Sequence, residues 1–171
     1  MIGEAALAVE VSVPYKLWVR ACTDAAEIAE TAARLTLQKS AAPAASAVDV
    51  TLAGDDAQQA LNRTWRGKDT PTNVLAFPLM FPGAEPAIPG PEGAPLLLGD
   101  VVLAYETVAR EAVEQQKPLA DHLRHLVVHG VLHLLGYDHI ETAGAAEMEA
   151  REIAILAELG VPNPYRDIIL D

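Results

Sequence analysis

The sequence is poor in cysteine, in aromatic residues and in basic residues. Cys22 is the single cysteine, so neither an intrachain disulfide nor a cysteine-based zinc site can form, and a reducing compartment is expected. No apolar run approaches the roughly 18 residues that a membrane-spanning helix needs, and the N-terminal residues carry no signal-peptide pattern. Together these absences predict a cytoplasmic protein with no membrane partner.

Basic residues are half as numerous as acidic ones, 12 against 24, which gives a formal net charge of −12. This excess argues against attraction of the whole surface to nucleic acid, although it leaves room for a local basic groove. One local concentration exists, because Arg63, Arg66 and Lys68 lie within six residues and are countered nearby by Asp69. Charge alone leaves open whether this cluster binds an anionic ligand or is a solvated helix end.

The chain of 171 residues is long enough for one domain with a sizeable core. Hydrophobic periodicity predicts strands at about 6–13, 48–52, 72–77 and 96–105, and helices at about 16–38, 55–65, 106–116, 118–135 and 142–159. The third and fourth strands are expected to pair antiparallel, and Asp55 or Asp56 to cap the second helix. Prolines and glycines predict a surface loop at 78–95. The pattern favours an α+β fold in which a mixed four-stranded sheet packs with about five helices.

All five histidines fall between positions 122 and 139, and three of them have a spacing typical of a metal site. His129 and His133 are four residues apart, so they share one face of a helix. Gly136 can end that helix with a positive φ and turn the chain back, which would bring His139 toward the other two. Three imidazoles with one open coordination position are typical of catalytic zinc. Because the helix is apolar around most of its circumference, the metal site is predicted at the end of a buried helix.

Neighbouring polar residues leave several alternatives open. His125 also stands four residues from His129 and could touch the metal, although supporting the ligands or lining a groove suits it better. Asp138 could orient a ligand, bind metal or cap the turn. His122 is expected to be a core residue with satisfied hydrogen bonds. Imidazole ligands are also compatible with Ni²⁺ or Cu²⁺.

The histidine spacing is shared with the metzincin proteases, which carry a glutamate directly after the first histidine as general base. Here Gly130 holds that position, so peptidase chemistry would lack its proton acceptor. A zinc ion held by three imidazoles lowers the pKa of water from about 15.7 toward about 7, and hydrolysis then needs no such base. A zinc metallopeptidase is therefore the weaker alternative, and Gly130 instead predicts the close approach of another element.

The chain resembles the YbeY endoribonucleases in two blocks, residues 61–78 (LNRTWRGKDTPTNVLAFP) and residues 129–139 (HGVLHLLGYDH). Residues 98–101 (LGDV) resemble a further strand of that family. The resemblance extends over nearly the whole chain and implies a single metallo-endoribonuclease domain at 1–171. It also implies a single-strand-specific, zinc-dependent endoribonuclease that acts in 16S rRNA 3′-end maturation and in late-stage 70S ribosome quality control.

The resemblance implies roles for individual residues as well. The ligands of one Zn²⁺ would be His129, His133 and His139. Arg66 would be the functionally critical arginine, and His129 would count as catalytic because of its place on the metal. A guanidinium can bind two phosphate oxygens at once, so Arg66 suits an anionic transition state. Arg63 and Lys68 could bind substrate by holding the flanking phosphates.

The implied partners are single-stranded RNA, above all rRNA, and the small ribosomal subunit with its proteins, without DNA. A non-catalytic ribosome-assembly factor with a structural zinc stays an alternative, because a net charge of −12 suits basic ribosomal proteins. Recognition of single-stranded RNA usually needs stacking platforms as well as charge. The aromatic residues nearest the motifs are expected to be core residues instead, namely Trp65, Phe77, Phe81 and Tyr137.

Overall fold

The computed structural model describes residues 7–40, 42–43, 45–79, 96–137 and 142–165. Along these residues the strands are β1 Ala8–Ser12, β2 Ser46–Ala53, β3 Val74–Pro78 and β4 Leu96–Ala104. The helices are α1 Leu17–Ala21, α2 Ala25–Lys39, α3 Asp55–Arg66, α4 Tyr105–Glu114, α5 Leu119–Leu134 and α6 Thr142–Glu158. Most of the predicted loop at 78–95 lies outside the described residues, as do Phe81, Asp138 and His139.

The four strands form one mixed sheet in the order β1-β2-β4-β3. The β1–β2 and β2–β4 pairs are parallel, whereas β3 pairs antiparallel with β4 and occupies one edge. The α+β fold and the antiparallel pairing of the third and fourth strands are therefore confirmed. None of the helices in the described parts of the chain combines the length and the apolar character needed to cross a bilayer.

The first predicted helix is divided in two, which raises the number of helices to six among the described residues. α1 ends at Ala21, and Cys22 is extended with φ −146° and ψ 97°. The break lets α1 and α2 meet different parts of the core. Trp18 of α1 is fully buried and donates its indole N–H to the carbonyl of Ala53 at 2.8 Å, whereas α2 buries a row of alanines.

The predicted cap of α3 by an aspartate is wrong. Gly54 is the N-cap, and Asp55 belongs to the first turn of α3. The Asp55 carboxylate instead accepts the backbone N–H of Thr107 at the start of α4, at 3.0 Å. In the reverse direction, the Glu106 carboxylate accepts the backbone N–H of Asp55 at 2.9 Å. The two helix starts thus satisfy each other's backbone donors.

Helix α5 lies at the centre of the molecule, packed against α2, β3, α4 and α6. Its nearly or fully buried apolar residues include Leu123, Leu126, Val127, Val128, Val131 and Leu132. Burial of this helix on most sides agrees with its apolar circumference in the sequence. The histidines of α5 are therefore carried by a rigid element of the core.

Gly130 marks the point where α5 crosses the sheet. A Cβ at this position would lie 2.7 Å from Cγ1 of Val101 and 3.3 Å from Cγ2 of Val74. The close approach predicted from the glycine is confirmed. The space that a metzincin-type glutamate would need is filled by β3 and β4.

Gly130→Glu is expected to lower the free energy of unfolding by about 3 kcal/mol or more, because it overpacks the core and buries a charge. Gly130→Ala, which adds the Cβ alone, is expected to cost less. Urea unfolding of both variants measures the effect, and casein hydrolysis measures peptidase activity. Wild-type stability together with casein cleavage in Gly130→Glu would contradict this prediction.

Candidate metal centre

Helix α5 carries four histidines, His122, His125, His129 and His133. Because they are spaced by three or four residues, they form a row along one side of the helix. His122 is 2% exposed, and its Nε2 lies 2.9 Å from Oε1 of Glu111, so its expected place in the core is confirmed. Its Nδ1 has no hydrogen-bond partner among the described residues, so its hydrogen bonding is only half satisfied. The other three lie further along the row, toward the end of the helix.

The last two histidines of the row face each other through their Nε2 atoms. The Nε2 atoms of His129 and His133 are 3.1 Å apart. Two imidazoles bound to one tetrahedral zinc at about 2.0–2.1 Å from the ion would have nitrogens roughly 3.3 Å apart. The pair therefore fits a shared metal ion.

The chain turns after this pair as the sequence predicts. α5 ends at Leu134, and Gly136 has a φ of 97°, in the region that favours glycine. His139, the third predicted ligand, lies outside the described residues, so its part in the site stays a prediction.

A buried carboxylate holds the opposite nitrogen of His129. Glu152 of α6 is fully buried and forms a short hydrogen bond with Nδ1 of His129. This bond favours the tautomer with the proton on Nδ1, so Nε2, which faces His133, carries the lone pair with which the ring would bind a metal. The second carboxylate oxygen of Glu152 accepts the hydroxyl of Tyr165, which in turn lies 3.4 Å from Nε2 of His125.

The charge state of this cluster follows from its hydrogen bonds. Burial by itself raises the pKa of Glu152, but hydrogen bonds from His125, His129 and Tyr165 outweigh burial and lower the pKa to about 2. Burial and the hydrogen bond to Glu152 both raise the pKa of Tyr165. Glu152 is thus an anionic acceptor and Tyr165 a neutral donor near neutral pH.

A second group of potential metal ligands overlaps the first. One ligand atom each from His125, His129 and Glu152 lie within 4.8 Å of one another. Both oxygens of Glu152 already accept hydrogen bonds, from His129 and from Tyr165, and an ion on this side would compete with them. The hydrogen bonding therefore favours the Nε2 side of His129 for a metal, and in that case Glu152 would orient the His129 ring rather than bind the ion.

Glu152 is the residue of the candidate site that reasoning from the sequence missed. It lies at helical spacing from Met148, Ile155 and Leu156, which are 1%, 3% and 0% exposed. The sequence does carry a signal for it, because Glu152 interrupts an apolar helix face. A charge that is buried on such a face needs a partner. A cleft of about 350 Å³ opens beside it and His129, so the cluster is reachable from solvent.

Arg66 ends α3 and is held against the edge of the sheet. Its guanidinium donates to the carbonyl of Ala76 at 2.8 Å and lies over the ring of Phe77 at 5.7 Å from the centroid. β3 in turn passes close to the end of α5, because a Cβ on Gly99 would lie 2.2 Å from the Phe77 carbonyl and 2.9 Å from Leu134. Arg66 is thus fixed to the strand that packs beside the histidine helix.

The other two basic residues of the cluster are exposed. Nη1 of Arg63 lies 3.6 Å from Oδ1 of Asp69, with both side chains 62% exposed, so the ion pair is weak and leaves Arg63 available to a ligand. Lys68 follows Gly67, whose φ of 71° ends α3.

The aromatic residues near the motifs do not all belong to the core. Trp65 is 72% exposed, so its expected place in the core is wrong. Phe77 is half-buried beneath Arg66, and Tyr137 is half-buried with Arg151 5.1 Å from its ring centroid. Trp65 shares a helix face with Gln58 and Asn62, which are buried, but α3 extends past the core at its last turn.

Known proteins match this chain over most of its length. The sequence model described as Endoribonuclease YbeY matches residues 17–160. Endoribonuclease YbeY from Paramagnetospirillum magneticum is 50% identical over 158 residues, which cover 92% of this chain and 94% of the relative. Endoribonuclease YbeY from Magnetococcus marinus is 60% identical over 121 residues, covering 69% and 82%.

A solved structure agrees with the fold. The solution structure of TM1509 from Thermotoga maritima aligns with a TM-score of 0.55 and 24% identity, covering 90% of this chain and 89% of that one. The family match and the relatives extend well beyond the two motif blocks at residues 61–78 and 129–139. The chain belongs to the YbeY endoribonuclease family.

Proposed function

We propose that this protein is a zinc-dependent endoribonuclease that cleaves single-stranded RNA, in the cytoplasm, during 16S rRNA 3′-end maturation and late-stage 70S ribosome quality control. The observation that carries the proposal is the facing pair of His129 and His133, whose Nε2 atoms are 3.1 Å apart. Relatives named endoribonucleases, such as the one that is 50% identical over 158 residues, support the reaction. We propose rRNA and the small ribosomal subunit with its proteins as partners.

We assign one Zn²⁺ to His129, His133 and His139. When bound, the ion would polarise a phosphoryl oxygen. It would also lower the pKa of water, so that hydroxide is available near neutral pH. Glu152 would keep the His129 ring in place and its proton on Nδ1. Tyr165 would hold Glu152 by donating its hydroxyl to the second carboxylate oxygen.

Arg66 would bind the phosphate at which cleavage occurs. A guanidinium carries five N–H donors, and the hydrogen bond to Ala76 fixes one of them to the strand beside the histidine helix. A cation held in this way can meet the charge that develops on phosphate oxygens without first reorganising. Arg63 and Lys68 would hold the flanking phosphates.

Two groups can serve as the nucleophile that attacks phosphorus, namely water and the 2′-hydroxyl of the RNA. Water would give a linear phosphate end, whereas the 2′-hydroxyl would give a 2′,3′-cyclic phosphate. Mass analysis of the product ends decides between them.

The test of the function is metal analysis of the purified protein together with cleavage assays on single-stranded RNA, duplex RNA and casein. We expect bound zinc and cleavage of single-stranded RNA that a chelator stops. Cleavage that persists in a chelator would contradict the metal dependence. A metal-loaded protein that binds pre-ribosomal particles but cuts no RNA would favour the assembly factor, and casein cleavage would favour the peptidase.

Glu152→Gln is expected to lower zinc affinity about 10- to 100-fold, because loss of an outer carboxylate partner weakens the ligand that it orients. The amide keeps the shape of the side chain but removes the anionic acceptor opposite Nδ1 of His129. Competition with a colorimetric zinc chelator measures the affinity. Glu149→Gln, on the same helix and beside the same cleft, is the control. Equal zinc affinity in Glu152→Gln and wild type would contradict the orienting role.

A further inference from the structure

Trp65 stands in solvent at the last turn of α3. It is 72% exposed, whereas Trp18, the other tryptophan of the chain, is fully buried. Trp65 is the one exposed aromatic residue in the part of the chain that the structure describes. An indole left in water forgoes a large gain from burial, so packing does not account for this position.

The end of α3 that carries Trp65 is held firmly. Asn62 donates its side-chain amide to the carbonyl of Thr70 at 2.7 Å, and Gln58 accepts the backbone N–H of Thr72 at 2.8 Å. These two residues tie the returning chain onto the inner face of the helix. The indole is therefore presented from a rigid turn, which lowers the entropy lost when a ligand binds.

The charge around the indole suits a polyanion. Arg63, Arg66 and Lys68 are three of the 12 basic residues of a chain whose net charge is −12. Many basic side chains elsewhere pair with carboxylates of the protein, namely Arg34, Lys39, Arg110, Arg124 and Arg151. Arg66 instead bonds a backbone carbonyl, and Arg63 has an exposed, weak ion pair with Asp69. Three cations with one nearby carboxylate therefore leave the end of α3 positive beside an exposed aromatic face.

We propose that Trp65 is the base-stacking platform by which this protein selects single-stranded RNA. A base inside a duplex is already stacked on both sides, so an indole can receive only a base that is unpaired and splayed out. The neighbouring basic side chains bind phosphates of the RNA backbone, and an unpaired base between those phosphates stacks on the indole of Trp65. This inference rests on the proposed endoribonuclease function and adds to it the residue that sets strand selectivity.

The first test compares cleavage of a 12-nucleotide oligoadenylate with cleavage of its duplex with oligouridylate, using the metal-loaded full chain. Trp65→Ala is expected to lower kcat/KM on the single strand roughly tenfold or more, chiefly through KM, since stacking of one base typically contributes that much. Cleavage of the duplex should stay at its low level, so selectivity falls. Trp65→Phe keeps an aromatic face and should retain most of the activity.

The matched control is Val113→Ala, which removes an apolar side chain that is 80% exposed on α4. It should leave both rates unchanged. All three variants should melt at the wild-type temperature, because neither Trp65 nor Val113 is part of the core.

The second test follows tryptophan emission while oligoadenylate is added. Stacking should quench the emission of the wild type, whereas Trp65→Phe, which retains only the buried Trp18, should show no quenching. If the wild type cleaves RNA but Trp65→Ala keeps its selectivity, the inference is overturned and the proposed function stands. If the wild type cleaves no RNA, the proposed endoribonuclease function is contradicted. The stacking inference is then decided by the emission of Trp65: it stands if oligoadenylate quenches that emission and fails if it does not.

Discussion

Replacing His133 with alanine is expected to remove the bound metal ion and to abolish cleavage of single-stranded RNA. The substitution deletes one of the two Nε2 donors that lie 3.1 Å apart. Loss of a direct ligand should cost more than the roughly 10- to 100-fold in affinity that loss of an outer partner costs. Zinc content of the purified variant and competition with a chelator measure the effect.

His125→Ala is the matched control, because it removes a histidine from the same row of α5. His125 belongs to the alternative ligand group with His129 and Glu152 but not to the proposed set. We expect this variant to keep most of its zinc. Loss of zinc in His125→Ala with retention in His133→Ala would place the ion on the opposite side of His129 and contradict the assignment.

Arg66→Ala is expected to keep its zinc and to lower kcat about 10²- to 10³-fold, the usual loss when one donor to a transition-state oxygen is removed. The contacts of the guanidinium are with Ala76 and Phe77 of β3, and Arg66 is not one of the proposed ligands, so metal binding should be unaffected. Single-turnover cleavage and zinc content of the same preparation measure the two effects together.

Part of that loss could come from the structural contact of Arg66 rather than from phosphate binding. Arg66→Lys keeps the charge but not the planar fork, so it should recover activity only partly. Arg110→Ala removes an exposed cation whose Nε lies 4.0 Å from Oε1 of Glu114 on α4, and should cleave RNA normally. Normal cleavage by Arg66→Ala, or a loss that follows a fall in melting temperature, would contradict the assigned role.

Local patterns in the sequence predicted those features that depend on a few neighbouring residues. Gly130 predicted a close approach, and Val101 meets the helix there. Gly136 predicted a turn with positive φ, which the backbone adopts. The break between α1 and α2 was missed, because it depends on where Trp18 can be buried against Ala53, a residue 35 positions further along the chain.

The sequence alone determined that His129 and His133 share a helix face, because their spacing matches one helical turn, and it determined the family through the two motif blocks. Only the tertiary structure decided that Glu152, 23 residues beyond His129, would meet its Nδ1, and that Trp65 would remain in water. Helical periodicity fixes which residues share a face. It does not fix which distant element covers that face, or where the core ends.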